Sequence, residues 1–165
     1  MGKAFVDTFQ TLIYLTTPCI WNVTTVDTLI AALSEPDIPT TSKTVAHTLL
    51  KDLALTHYKL FTTAIPTLAE WIITQSKEVS ADRTREEKLA AEDILKCLAR
   101  LGAKGLDLDL LGKQGKEFIA ALTVFALNGE TEKQGRRATT ILLSLKHQNA
   151  YAEDLINVCG LLLLC

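Results

Sequence analysis

Three stretches of this sequence share one apolar pattern: an alanine, then two aliphatic residues three and four positions later, then a leucine at the eighth position. They are Ala46–Leu53, Ala91–Leu98 and Ala138–Leu145. The apolar positions fall at i, i+3, i+4 and i+7, which is one face of an α-helix. The copies begin 45 residues (46 to 91) and 47 residues (91 to 138) apart. Recurrence at a nearly fixed interval is typical of stacked helical repeats rather than of a single amphipathic helix.

The helices that precede two of these copies also match each other. Thr28–Leu33 aligns with Glu117–Leu122, and each precedes a copy of the pattern. The repeating unit is therefore predicted to be an antiparallel helix pair. Units of about 40–47 residues predict an all-α fold, a HEAT/armadillo-like α-solenoid. A compact helical bundle is the alternative architecture.

Under this interpretation, residues 1–165 form a single helical-repeat segment. The repeats are expected at roughly 24–57, 64–102 and 114–147, with flanking helices at 3–16 and 149–164. The final stretch, Gly160–Cys165, is apolar on every face. Because the terminal unit of a complete solenoid presents a polar face to water, we expect the segment to belong to a longer array; the alternative is that a partner covers its last helix.

Local signals predict where several helices begin and end. Side chains that accept hydrogen bonds from free helix amides are expected at Thr24 or Thr25, Ser42 and Thr131. Gly102 is expected to end a helix through a left-handed backbone conformation. The polar stretch 74–85 is expected to form the most exposed loop.

The composition argues against several classes of protein. The chain is 48% apolar and 22% charged, whereas disordered chains combine low hydrophobicity with high net charge. A net charge of −2 provides no overall attraction to nucleic acid, so direct nucleic-acid binding is not expected. The longest late apolar run is far shorter than the ~20 residues that cross a bilayer, so no membrane association is expected. Reduced, buried thiols are expected at Cys19, Cys97, Cys159 and Cys165.

No pattern in the sequence predicts catalysis, a metal site or a cofactor. His47, His57 and His147 lack metal-ligand spacing and are expected to be surface or capping histidines. The acidic residues are expected on solvated faces or in loops rather than paired in a cleft. The glycine-containing loop 103–115 lacks both the preceding strand and the Lys-Ser/Thr pair of a phosphate-binding loop.

Two basic clusters are the candidate partner-binding residues. The first consists of Lys133, Arg136 and Arg137. It opens the third copy of the pattern, where cations oppose the helix dipole, and this favours an external anionic partner. Glu130 and Glu132 lie beside it and partly neutralise it. The second cluster follows one helix face at Lys96, Arg100 and Lys104. Glu92 is spaced for an i,i+4 ion pair with Lys96.

Two stretches also carry a family resemblance. One is Val26–Leu33 with its following helix to Leu53. The other is Lys116–Gly129, which ends in FALNG, followed by Lys133–Ala138. The second stretch is similar to a turn of the Pds5-type cohesin regulators, in which FALNGT precedes KQA and a helix of small and apolar residues. Together the stretches cover about half of the chain.

The resemblance to Pds5-type proteins implies a segment of a large nuclear HEAT-repeat protein. Such proteins bind the kleisin subunit of cohesin, act with other cohesin regulators and help hold sister chromatids together. The resulting hypothesis is a non-catalytic protein-interaction scaffold without a cofactor. The alternatives are an adaptor or nuclear-transport solenoid, or a small helical enzyme with its site at 103–115.

Overall fold

The computed structural model describes residues 21–79, 82–105, 111 and 114–145. Within these ranges the regular structure is six α-helices and one 3₁₀ turn, and there is no strand. The α-helices are α1 (Val23–Ser34), α2 (Thr40–Thr56), α3 (Ile65–Lys77), α4 (Arg85–Gly102), α5 (Gly115–Asn128) and α6 (Glu132–Leu145). The 3₁₀ turn, Tyr58–Phe61, follows α2. The flanking helices predicted at 3–16 and 149–164 lie outside the described residues.

The six helices form two layers of an α-solenoid. The second helix of each pair lies in one layer, where α2 packs against α4 and α4 packs against α6. The first helices form the other layer, in which α3 packs closely against α5 but only lightly against α1. The two layers meet where α1 contacts α2, α3 contacts α4, and α5 contacts α6. The predicted all-α solenoid architecture is confirmed, and α4 lies at the centre of the second-helix layer.

The core contains the apolar pattern that defines the repeats. Every alanine, isoleucine and leucine at the four pattern positions is buried in all three copies. Leu95, in the middle copy, has 0% of its surface exposed. The phenylalanines Phe61, Phe118 and Phe125 are also fully buried. The repeat register inferred from the sequence is therefore the register in which the helices pack.

Three of the predicted helix ends are wrong. The side chain that caps α1 is Asn22, whose Oδ1 accepts a hydrogen bond from the Thr25 amide at 2.9 Å. Helix α2 begins earlier than Ser42, directly after Pro39, and no side chain caps it. Gly102 is the last residue of α4 itself, while the left-handed conformation belongs to Gly105, with φ of 95°. The predicted cap at Thr131 is confirmed, since its Oγ1 accepts from the Gln134 amide at 3.2 Å.

The stretch 74–85 is less exposed than predicted. Helix α3 continues through it to Lys77, and the Arg83 side chain, which is only 7% exposed, forms an ion pair with Glu130 at 3.3 Å. A capping box then starts α4: Thr84 Oγ1 accepts from the Glu87 amide, and the Glu87 carboxylate accepts from the Thr84 amide. The spacing Thr-x-x-Glu is a sequence signature of this motif that sequence reasoning missed.

The turn between α5 and α6 depends on a glycine. A side chain at Gly129 would collide with the backbone carbonyl oxygen of Phe125. The turn that follows FALN can therefore be this tight only because position 129 has no Cβ. The turn also brings the start of α6 beside α4, where polar side chains of the two helices meet.

Candidate partner-binding surface

Helix α4 carries two successive carboxylates that face different neighbours. Asp93 faces α2, where its Oδ2 lies 2.8 Å from His47 Nδ1 and its Oδ1 lies 3.1 Å from Lys51 Nζ. Burial raises the pKa of Asp93, but the hydrogen bond from His47 and the charge of Lys51 outweigh burial and hold the pKa below its ordinary value. His47 is only 3% exposed, so the expectation of a surface or capping histidine is wrong at this position.

Glu92, one residue earlier, faces α6. Its Oε1 lies 3.0 Å from the Arg137 guanidinium and 3.8 Å from Lys133 Nζ, and the Thr131 hydroxyl donates to its Oε2 at 3.4 Å. Glu92 is buried. The expectation that it lies on a solvated face is therefore wrong, and its observed ion pairs cross to α6 instead of joining it to Lys96. A helix turns about 100° per residue, which is why neighbours in sequence can serve opposite sides.

Two arginines connect the second helices in the same manner. Arg100 of α4 donates to the backbone carbonyl oxygen of Lys51 on α2 and lies 3.4 Å from the Asp52 carboxylate. Arg137 of α6 donates to the backbone carbonyl oxygen of Glu92 on α4 at 2.6 Å, and also pairs with the Glu92 carboxylate. Each guanidinium thus joins a carbonyl and a carboxylate of the preceding second helix. We call these two contacts the arginine bridges.

A buried amide adds to the α4–α6 interface. The side chain of Gln134 is completely buried. Its Nε2 donates to the Lys88 carbonyl oxygen at 3.0 Å, and its Oε1 accepts from the Glu130 amide at 2.9 Å. Because both ends of the amide are satisfied, this polar group is held in the core without an unpaired donor or acceptor.

Four partly exposed cations from three successive second helices lie near one another. They are Lys51, Lys96, Arg100 and Arg137, and we call this group the cationic ridge. Burial lowers the pKa of Lys96, and the nearby positive charges of Arg100, Arg137 and Lys51 lower it further. Three of the four cations have a carboxylate partner, whereas no carboxylate of the described residues forms an ion pair with Lys96.

The structure rearranges the two basic clusters predicted from the sequence. It brings Arg137 of the first cluster beside Lys96 and Arg100 of the second. Lys133 is 67% exposed at the edge of the α4–α6 interface. Arg136 is 73% exposed and pairs with Glu132 on its own helix, at the hollow between α5 and α6. Lys104 lies at the end of α4, with its Nζ 5.4 Å from the centre of the Tyr58 ring.

Lys51 is the ridge residue that sequence reasoning missed. A signal was available, because Lys51 and Lys96 are 45 residues apart, the distance between the first two copies of the pattern. Residues at equivalent repeat positions occupy neighbouring places in a stacked array. A search for cations at the repeat interval would have found this pair.

The described residues hold neither a metal-binding cluster nor an exposed thiol. They contain no group of three or more histidine, cysteine or acidic side chains placed to hold a metal ion. Cys97 is buried, and burial raises the pKa of its thiol, so the nucleophilic thiolate is suppressed. The other three cysteines and most of the loop 103–115 lie outside the described residues. None of the helices described is both long enough and apolar enough to cross a membrane.

Comparison with known proteins identifies the family. No curated protein and no solved structure matches the chain significantly. A family model described as "Sister chromatid cohesion protein PDS5 protein" matches residues 1–162, almost the whole chain. This family is one of regulatory scaffolds with a role in cohesion. The match covers both stretches that carry the resemblance in the sequence, and the chain therefore belongs to the PDS5 family of sister chromatid cohesion proteins.

Proposed function

We propose that this chain is a non-catalytic scaffold segment that works in the nucleus and regulates sister chromatid cohesion. It does so by binding the kleisin subunit of cohesin and other cohesin factors. The observation that carries the proposal is the PDS5 family match over residues 1–162. The same match favours this function over a nuclear-transport adaptor or a small helical enzyme.

The architecture supports a binding role. Stacked helix pairs present long, continuous surfaces on which an extended or helical peptide can lie. The cationic ridge is the part of the described surface where charges from three successive second helices come together. Arg100 and Arg137 also bridge helices, so their loss would disturb the scaffold as well as the surface. Lys51 pairs with Asp93 across two helices, so Lys96 is the better probe of binding alone.

The proposal is tested with the purified chain and the purified kleisin subunit. We expect saturable binding in a pulldown and in a titration that yields an affinity. Lys133→Glu combined with Arg136→Glu reverses two mostly exposed charges and leaves the Arg137 bridge intact. We expect this double variant to weaken kleisin binding several-fold. Charges at the edge of an interface act mainly by speeding the encounter of the two proteins and by orienting them.

The matched control is Lys77→Glu, an exposed cation of α3 in the first-helix layer, which should leave kleisin affinity unchanged. A folded chain that does not bind the kleisin subunit would contradict the proposal. Binding that is unaffected by the paired reversal would remove Lys133 and Arg136 from the interface.

A further inference from the structure

Among the residues that the structure describes, Lys96 is the cation of the ridge without a carboxylate partner. The three acids around it are already engaged, since Asp93 pairs with Lys51, Asp52 with Arg100, and Glu92 with Arg137. No acidic residue of the described chain forms an ion pair with Lys96 itself. The ridge therefore holds one positive charge more than its own carboxylates neutralise.

The surroundings of Lys96 make this imbalance costly. Its side chain is half-buried, and burial together with three neighbouring cations disfavours the charged form, an effect that the nearby Asp93 carboxylate only partly offsets. A carboxylate brought in from outside would remove the repulsion and form a charge-assisted hydrogen bond, which is stronger than one between neutral groups. Binding of an acidic ligand should therefore gain more free energy at Lys96 than at an ordinary exposed lysine.

The repeat geometry constrains the shape of that ligand. Lys51 and Lys96 occupy equivalent positions on α2 and α4, and packed helices lie about 8–10 Å apart. A polyproline II segment has three residues per turn and rises about 3.1 Å per residue, so side chains at i and i+3 face the same way about 9 Å apart. An extended peptide that crosses the second helices can therefore present one carboxylate to each lysine.

We propose that the cationic ridge binds an extended acidic segment of a partner protein, with carboxylates three residues apart contacting Lys96 and Lys51. This inference rests on the proposed scaffold function and names the chemistry of the segment that the scaffold binds. Lys51 has three N–H donors and uses them on a single carboxylate, that of Asp93, so a donor remains for the ligand. Within the described residues, the ridge has only one cation that its own carboxylates leave unneutralised, which suits a segment with a few carboxylates better than nucleic acid, whose binding requires many cations to neutralise successive phosphates.

The test uses the full chain and a labelled synthetic peptide with glutamate at every third position and proline or alanine between. Its controls are the same peptide with glutamine for glutamate and a peptide of the same composition with the glutamates adjacent. We expect the spaced peptide to bind most tightly, and its affinity to fall as salt is added. Lys96→Glu should weaken binding by at least about tenfold, since it replaces a charge-assisted bond by repulsion.

Two variants separate charge from folding. Lys96→Met keeps the apolar stem and should lose several-fold in affinity while its thermal melting matches wild type. Lys77→Glu should bind the peptide as wild type does. Equal binding of the glutamine peptide, or unchanged affinity in Lys96→Glu, would overturn the inference. Tighter, ridge-dependent binding of a DNA duplex than of the peptide would also overturn it. A chain that binds the acidic peptide but not kleisin would overturn the proposed function alone.

Discussion

Helix α4 has two interfaces in the second-helix layer. Both combine a carboxylate of α4, cations and an arginine bridge, but the partners of the carboxylate differ. Towards α2 it presents Asp93, which meets a histidine and a lysine; towards α6 it presents Glu92, which meets an arginine, a lysine and a threonine. Each interface also has one arginine bridge. The comparison shows that a repeat array can keep one apolar register while its polar contacts differ from pair to pair.

The clearest difference lies in the neutral contacts. The α4–α6 interface contains the buried, fully bonded amide of Gln134. The polar partners that α2 offers to Asp93 are instead His47, Lys51 and Thr48. The α2–α4 interface includes Asp93, a carboxyl whose pKa lies below its ordinary value in the folded chain, so its contribution to stability should change in acid.

The largest expected effect comes from the core beneath both interfaces. Leu95→Ala should lower the free energy of unfolding by about 2–5 kcal/mol, because it deletes a fully buried side chain and leaves a cavity. Urea denaturation of the purified chain measures the change. Leu89→Ala is the matched control on the same helix, since Leu89 is 42% exposed, and it should cost well under about 1 kcal/mol. Equal losses in the two variants would show that the register assigned to α4 is wrong.

Removing either carboxylate of α4 should lower the free energy of unfolding by an intermediate amount, and this amount should differ between the two. Glu92→Ala and Asp93→Ala should each cost about 1–3 kcal/mol, because each leaves partly buried donors without a partner. The Glu92 variant should cost more, since its side chain is more buried and an arginine bridge depends on it. Urea denaturation of both variants under the same conditions gives the comparison. A greater loss of unfolding free energy in the Asp93 variant would show that the α2–α4 carboxylate contributes more to stability than the α4–α6 carboxylate, contrary to this prediction.

The smallest expected effect is the pH dependence of the α2–α4 interface. The folded-state pKa of Asp93 lies below its ordinary value of 3.8, so the folded chain holds this proton less tightly than the unfolded chain. The stabilisation from Asp93 is therefore complete above about pH 4 and is lost as the pH falls through the folded-state pKa. The gap in unfolding free energy between wild type and Asp93→Asn should shrink over that range. A gap that stays constant down to about pH 2 would contradict this origin.

The apolar pattern was sufficient to predict the solenoid and its core, because burial at i, i+3, i+4 and i+7 depends on residue type and spacing alone. Helix starts were less predictable. Asn22 and Pro39 directly precede α1 and α2, but threonines and serines nearby in the sequence are equally plausible residues for that place. The candidate binding surface was least predictable. Sequence proximity grouped Arg136 with Arg137, yet the first pairs within α6 and the second reaches α4. Which way a long side chain reaches depends on how the helices are packed.

The adjacency of Glu92 and Asp93 has a mechanical consequence. A rotation of α4 about its own axis that shortens the contacts of one carboxylate lengthens those of the other, because the two point to opposite neighbours. We therefore expect bending at the α2–α4 junction to be accompanied by bending in the opposite sense at the α4–α6 junction. Lys96 lies on the same helix, one turn beyond Glu92. A ligand bound to Lys96 would therefore act on α4 and could change the curvature of the array on both sides of this helix at once.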